Sequence, residues 1–170
     1  MIRVSIVTVS DGVAAGERVD QGGPACEAAL RDSGVACAVV SRETLPDDRA
    51  RIAALLRERA DGGDTDLIVL TGGTGVAPRD RTPEAVRDVA SLEVPGLAEK
   101  MRADTGRDLP AAYLSRQVAA ARGATLILAL PGSPRGASDC LRAVAGLLPH
   151  ALSLLRGEKP DHPVPRPVEG

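Results

Sequence analysis

Four short apolar runs, at residues 2–9, 35–40, 67–70 and 125–130, are set between amphipathic stretches and constrain this chain more than any other feature. Runs of Val, Ile and Leu without polar alternation belong to strands covered on both faces, and the stretches between them supply crossover helices. The pattern predicts an α/β fold, a three-layer α/β/α sandwich with a mostly parallel central sheet, in which all four runs are apolar enough to be central. Pro24, after Gly22 and Gly23, suits a first helical turn, and Gly34 suits a C-cap. Asp47 and Asp48 precede a stripe of Ile52, Leu55 and Leu56 that ends at Gly62 and Gly63. Leu141, Val144, Leu148, Leu152 and Leu155 mark a last helix, which Pro149 should kink or split. Between Thr82 and Gly123, helical pieces are broken at Pro95, Gly96, Gly106 and Pro110, and the pattern does not give their order. With 170 residues, the chain suits one domain, predicted over 1–157. The remainder, 158–170, carries Pro160, Pro163, Pro165 and Pro167 and reads as a Pro-rich tail.

Charge removes one class of function. With 21 Lys and Arg against 23 Asp and Glu, no positive field exists to draw nucleic acid. Tyr113 is the sole aromatic residue, so neither a base-stacking platform nor an aromatic cage can be built within the chain. Only Lys100 and Lys159 are lysines, so side-chain anion contacts fall mainly to arginine. Cys26, Cys37 and Cys140 lack a C-x-x-C spacing and read as buried, reduced thiols. The absence of a leader or a membrane-length apolar run predicts a soluble cytoplasmic protein with no membrane partner. His150 and His162 fall in the last helix and the tail, where they assemble neither a Ser-His-Asp triad nor a His-rich metal site.

Two glycine-rich turns follow two of the runs: Thr71-Gly72-Gly73-Thr74-Gly75, and Pro131-Gly132-Ser133-Pro134-Arg135-Gly136. Ligands of open parallel sheets bind outside the carboxyl ends of the strands, so both turns should line one crevice. Glycines let the backbone approach a ligand, and the helix starts that follow offer N–H groups to phosphate. A Walker loop is absent, because no lysine lies near Gly75; a dinucleotide fingerprint fails at Pro78. Asp80, just beyond the first turn, suits a phosphate site only if a cation such as Mg²⁺ bridges the two. Otherwise it pairs with Arg79 or Arg81, or caps the helix near Thr82. Asp47 and Asp48 at the mouth of the second run, and Ser10 and Asp11 at the end of the first, either cap helices or face the crevice.

Taken together, these motifs resemble the MogA/MoaB family of molybdenum cofactor biosynthesis, which includes the G domain of gephyrin. The resemblance runs along nearly all of residues 2–157. It includes Thr8-Val9-Ser10-Asp11, Asp20-Gln21-Gly22-Gly23-Pro24, Leu45-Pro46-Asp47-Asp48, Pro78-Arg79-Asp80 and Thr82-Pro83-Glu84-Ala85, then Val94-Pro95-Gly96-Leu97, Leu114-Ser115-Arg116 and Leu130-Pro131-Gly132-Ser133-Pro134. It implies a trimer that binds molybdopterin and transfers AMP from Mg-ATP to its terminal phosphate, with a molybdenum insertase as a further partner. The resemblance places the family's two key aspartates at Asp47 and Asp80, as catalytic residues and holders of Mg²⁺, and its substrate-contacting serine at Ser115. Ser10, Asp11, Gly72, Gly73, Thr74, Gly75, Arg79, Gly132, Ser133 and Pro134 complete the expected substrate site, and residues 96–113 are the candidate trimer contact. Two departures stand out: Ala129 where several active relatives carry Asn, and Gly12 where Arg or Thr is frequent. Ala129 also motivates an alternative, a non-catalytic molybdopterin carrier. A nucleotide hydrolase of the competence-damage-inducible type is a third reading.

Overall fold

The computed structural model describes residues 1–158, so the predicted tail lies, from residue 159 on, outside the described residues. Along the chain run β1 (Ile2–Val9), α1 (Asp11–Ala14), α2 (Gly22–Asp32), β2 (Cys37–Leu45), α3 (Arg49–Asp61), β3 (Leu67–Thr71) and α4 (Thr82–Arg87). There follow β4 (Leu92–Glu93), α5 (Pro95–Gly106), β5 (Val118–Arg122), β6 (Thr125–Leu130), α6 (Pro134–Val144) and α7 (Leu148–Leu155). Short 3-10 turns lie at Pro110–Leu114 and Ala145–Leu147. The strands form one six-stranded sheet in the order β2-β1-β3-β6-β5-β4. Strands β2, β1, β3 and β6 are parallel; β5 runs antiparallel to β6, and the short edge strand β4 pairs antiparallel with β5.

Period-2 alternation divides the central strands between two cores. Val4 and Ile6, Leu67 and Val69, and Leu126 and Leu128 face α2, α5, α6 and α7. Val7 and Val9, Ile68 and Leu70, and Ile127 and Ala129 face α3 and α4. The predicted three-layer sandwich is therefore the observed one.

Three expectations are corrected. β2 is an edge strand, not a central one, and it runs past Val40 to Leu45 through Ser41, Arg42, Glu43 and Thr44, whose alternating exposure is that of an edge. The span from Thr82 to Gly123 holds two strands besides its helices; β5 is Val-Ala-Ala-Ala-Arg, a poor strand former that burial between neighbours overrides. Among the cysteines, Cys26 and Cys140 are buried, with thiols pushed up to about 12 and about 11 by burial, but Cys37 is only half-buried. Pro149 stands in the first turn of α7, where its missing N–H costs nothing, and the predicted split falls just before it.

At the amino end of β3, Asp66 ties β1 to the end of α7. Its carboxylate accepts from the Arg3 backbone at 2.8 Å, the Arg3 guanidinium at 2.9 and 3.1 Å, and Arg156 at 3.0 Å. The Arg3 hydrogen bonds hold this carboxyl well below the usual carboxylate range, against the opposing effect of burial. The stability contributed by Asp66 is therefore complete above its unfolded pKa of about 4 and is lost as pH falls through the depressed folded value. Asp66→Ala should cost roughly 3 kcal/mol in urea unfolding at pH 7, with the difference shrinking in strong acid.

Candidate active site

The carboxyl ends of β1, β3 and β6 meet at the topological switch point, where β1 sends one connection to β2 on one side and the chain then crosses to β3 on the other. Close backbone approach fixes this corner. Gly72 has φ +111°, and a Cβ there would strike the Val9 carbonyl oxygen. The Gly72 N–H donates to the Leu130 carbonyl at 3.1 Å, and the Thr71 hydroxyl to the Pro131 carbonyl at 2.8 Å. A Cβ on Gly132 would come within 3.2 Å of the Gly72 Cα, so the two glycine turns lie directly against one another.

Two clefts open on either side of that contact and share Gly132 and Ser133. The smaller, of about 510 Å³, is polar and is lined by Ser10, Asp20, Asp47, Gly72, Gly73 and Asp80, with Pro134 at its edge. The larger, of about 910 Å³, is lined by Thr74, Gly75, Leu114, Ser115, Pro131 and Arg135, among others. Ser115 Oγ lies 3.2 Å from Thr74 Oγ1, joining the serine to the first glycine loop. Asp11 and Arg79 form an ion pair at 2.6 Å beside the smaller cleft.

The two adjacent aspartates divide the roles that sequence left open. Asp48 caps α3, accepting from the Arg51 N–H at 2.9 Å. Asp47 instead accepts from the Asp11 N–H at 3.1 Å, while Asp11 accepts from the Asp47 N–H at 3.0 Å. Burial pushes the Asp47 carboxyl above its ordinary value; the charges of Asp11 and Asp80 add to this, and the Asp11 N–H and Arg79 oppose it. Ser10 both caps α1, through the Val13 N–H at 3.4 Å, and lines the cleft. Asp80 adopts neither bland alternative. Its carboxylate closes its own loop by accepting from the Ala77 N–H at 2.8 Å, Arg79 turns to Asp11, and α4 starts without a side-chain cap. Asp47 Oδ1 would lie 2.9 Å from a Cβ on Gly73, and Asp80 Oδ2 2.7 Å from one on Gly75. Both carboxylates thus lie flat against the glycine loop, where any larger residue would displace them.

Two further groups stand in motifs that the sequence reading quotes without placing them at the site. Asp20 lines the smaller cleft and accepts from Thr8 Oγ1 at 2.9 Å and from the Gly23 N–H at 3.0 Å. The Thr82 hydroxyl is fully buried against Gly73 and has no hydrogen-bond partner. An unpaired buried hydroxyl costs about 1–3 kcal/mol, a cost that an oxygen seated in the loop would remove. The motifs flag both residues but not their place: Asp20 is held by Thr8 of β1 and by Gly23, and Thr82 lies against Gly73 of the glycine loop. Ala129 lines neither cleft and packs into the core beneath α3 and α4.

Among the described residues, no group of three or more His, Cys, Asp or Glu could hold a metal ion. Mg²⁺ commonly takes one or two carboxylates and completes its shell with water and substrate phosphate. Asp47 and Asp80, two hard-oxygen donors on one glycine cradle, fit that pattern. Because the Asp47 carboxyl is raised, its ionised form is penalised in the folded state above that raised value and unpenalised below the unfolded one. Asp47→Asn should therefore raise the melting temperature by about 2 °C at pH 7, and the gain should vanish as pH falls towards about 4.

The family described as "Probable molybdopterin binding domain" matches residues 5–150. A molybdenum cofactor biosynthesis bifunctional protein of Synechococcus elongatus is 38% identical over 158 residues, covering 93% of this chain and 48% of that protein. This chain thus spans about half the length of that relative. A molybdopterin adenylyltransferase of Haemophilus influenzae is 36% identical, covering 92% of this chain and 86% of its own. The crystal structure of the molybdopterin biosynthesis enzyme MoaB from Thermus thermophilus superposes with a TM-score of 0.86 at 52% identity, covering 93% of this chain and 98% of that one. With a family match over most of its length and relatives of this identity and coverage, the chain belongs to the molybdopterin-binding-domain family.

Proposed function

We propose that this protein is a molybdopterin adenylyltransferase of molybdenum cofactor biosynthesis, which transfers AMP from Mg-ATP to the terminal phosphate of molybdopterin. The observation that carries this reading is the shared wall at Gly132 and Ser133. It puts a small acidic, glycine-walled cleft suited to a polyphosphate beside a larger cleft with room for a pterin. The activity named for the Haemophilus relative supports it.

In the reaction, an oxygen of the molybdopterin phosphate forms a bond to the α-phosphorus, and the α–β anhydride bond breaks, its electron pair leaving with pyrophosphate. Several negative groups must meet, so catalysis consists mostly of positioning and neutralisation. Asp80 and Asp47 hold the cation, which when bound supplies neutralisation of phosphate charge. The Gly72, Gly73 and Gly75 backbone cradles phosphate oxygens with Thr74. Ser10, Asp11 and Arg79 orient the nucleotide side, while Ser115 holds the pterin, Gly132 and Ser133 form the wall common to both clefts, and Pro134 lines the smaller one. The product retains an activated phosphoanhydride, which a molybdenum insertase would consume.

The protein acts as a homotrimer in this reading. Leu109, Tyr113 and Leu114 are 58%, 60% and 62% exposed and supply an apolar face within or beside the expected contact. No helix among the described residues is long and apolar enough to cross a membrane, and the reaction is assigned to the cytoplasm.

Purified protein given Mg²⁺, ATP and molybdopterin should incorporate AMP into the pterin. Asp80→Ala should reduce that rate by about 10²–10³-fold while leaving the melting temperature and pterin affinity near those of the parent. Pterin binding without AMP incorporation would make the protein a carrier and overturn the transferase. Nucleotide hydrolysis without pterin would assign it to the hydrolase class. A light-scattering mass of one chain would overturn the trimer.

A further inference from the structure

Ser115 and Arg116 follow the 3-10 turn and reach the first glycine loop from outside its own strand. Ser115 lines the larger one, whereas Arg116 turns beneath the first glycine loop. The Arg116 backbone N–H donates to the Thr74 carbonyl at 2.7 Å. Its side chain then spans the loop: Nε donates to the Gly75 carbonyl at 2.7 Å, and Nη2 to the Asp80 carbonyl at 2.7 Å. The outer edge of the guanidinium pairs with Glu84 of α4, whose carboxyl is held below its ordinary range by that hydrogen bond. One side chain therefore grips both ends of the segment 75–80 and anchors it to a helix.

The segment has little else to hold it. Val76, Ala77, Pro78 and Arg79 are all exposed. Its other polar ties are the turn between Ala77 and Asp80 and the surface ion pair from Arg79 to Asp11. An exposed loop with few apolar contacts belongs to the low-stability end of a structure. Yet this one carries the carboxylate that the reaction requires to stay in place.

We infer that Arg116 is a positioning residue that fixes the 75–80 loop, and with it the Asp80 carboxylate, relative to Ser115 across the wall between the clefts. Its kinetic consequence rests on the adenylyltransferase reading, whereas the latch itself does not. Three divergent acceptors require the planar fork of a guanidinium, and an ammonium cannot serve them from one place.

The test uses Arg116→Lys and Arg116→Gln in the full chain, with two readouts. The first is amide hydrogen exchange of Ala77 and Asp80 without substrate, which should accelerate about tenfold or more in both variants while the melting temperature moves by less than about 3 °C. The second is steady-state kinetics. The ratio kcat/KM for Mg-ATP should fall by about 10–100-fold, as expected for a misplacement near 1 Å, with KM for molybdopterin changed less than about threefold. Exchange equal to that of the parent overturns the latch whatever the kinetics. A large drop in melting temperature with both substrates affected alike makes Arg116 a general brace and also overturns it. If the parent transfers no AMP, the functional reading fails separately, and the exchange result still decides the latch.

Discussion

The close approach of Gly72 to Val9 and Gly132 is the contact on which the site depends. A side chain at residue 72 would collide with the Val9 carbonyl, and one at residue 132 would press on the Gly72 Cα. Separating those backbones would break the Gly72-to-Leu130 and Thr71-to-Pro131 hydrogen bonds and widen the gap between β1, β3 and β6. The two glycine turns would then no longer form a common wall, and the clefts would cease to be neighbours. A short transfer between two bound molecules needs that shared wall, because proximity and orientation are most of what the protein can offer phosphoryl chemistry.

The same corner concentrates negative charge at a cost. Burial and the charges of Asp11 and Asp80 raise the Asp47 carboxyl, and the opposing Arg79 lies on the exposed side, where screening weakens it. Thr82 adds a buried hydroxyl without a partner. A chain selected for stability alone would remove both features; here both lie against Gly73, where a Cβ would meet the Thr82 hydroxyl and the Asp47 carboxylate together. Strain of this kind concentrated at one place is the usual mark of a site.

Much of this was visible in the residues. The apolar runs at 2–9, 67–70 and 125–130 became β1, β3 and β6, and the glycine turns fell at their carboxyl ends, because long buried strands leave little choice of structure. β5 was not visible: three alanines carry a helical preference, and only their burial in the sheet makes them a strand. β2 was misplaced because its apolar run stops at Val40, while an edge strand tolerates the polar residues that follow. At the site, Asp47, Asp80 and Ser115 could be named from sequence, but the division of labour between Asp47 and Asp48 could not. Two adjacent carboxylates before a helix offer the same cap, and only the parallel pairing of β1 with β2, which sets Val9 opposite Leu45, brings Asp47 beside Asp11.

The antiparallel end of the sheet explains how remote segments share the site. A fully parallel sheet would send each connection back across a layer, leaving the carboxyl ends served only by the turns directly after each strand. Because β5 runs against β6, it begins at the cleft end of the sheet, and the residues just before it, Ser115 and Arg116, arrive there from α5. They meet Thr74, Gly75 and Asp80 across a sequence separation of about forty residues. The reversal at the sheet's edge thus gives the glycine loop a second support from outside its own strand, and makes the loop's shape depend on the segment that lines the larger cleft.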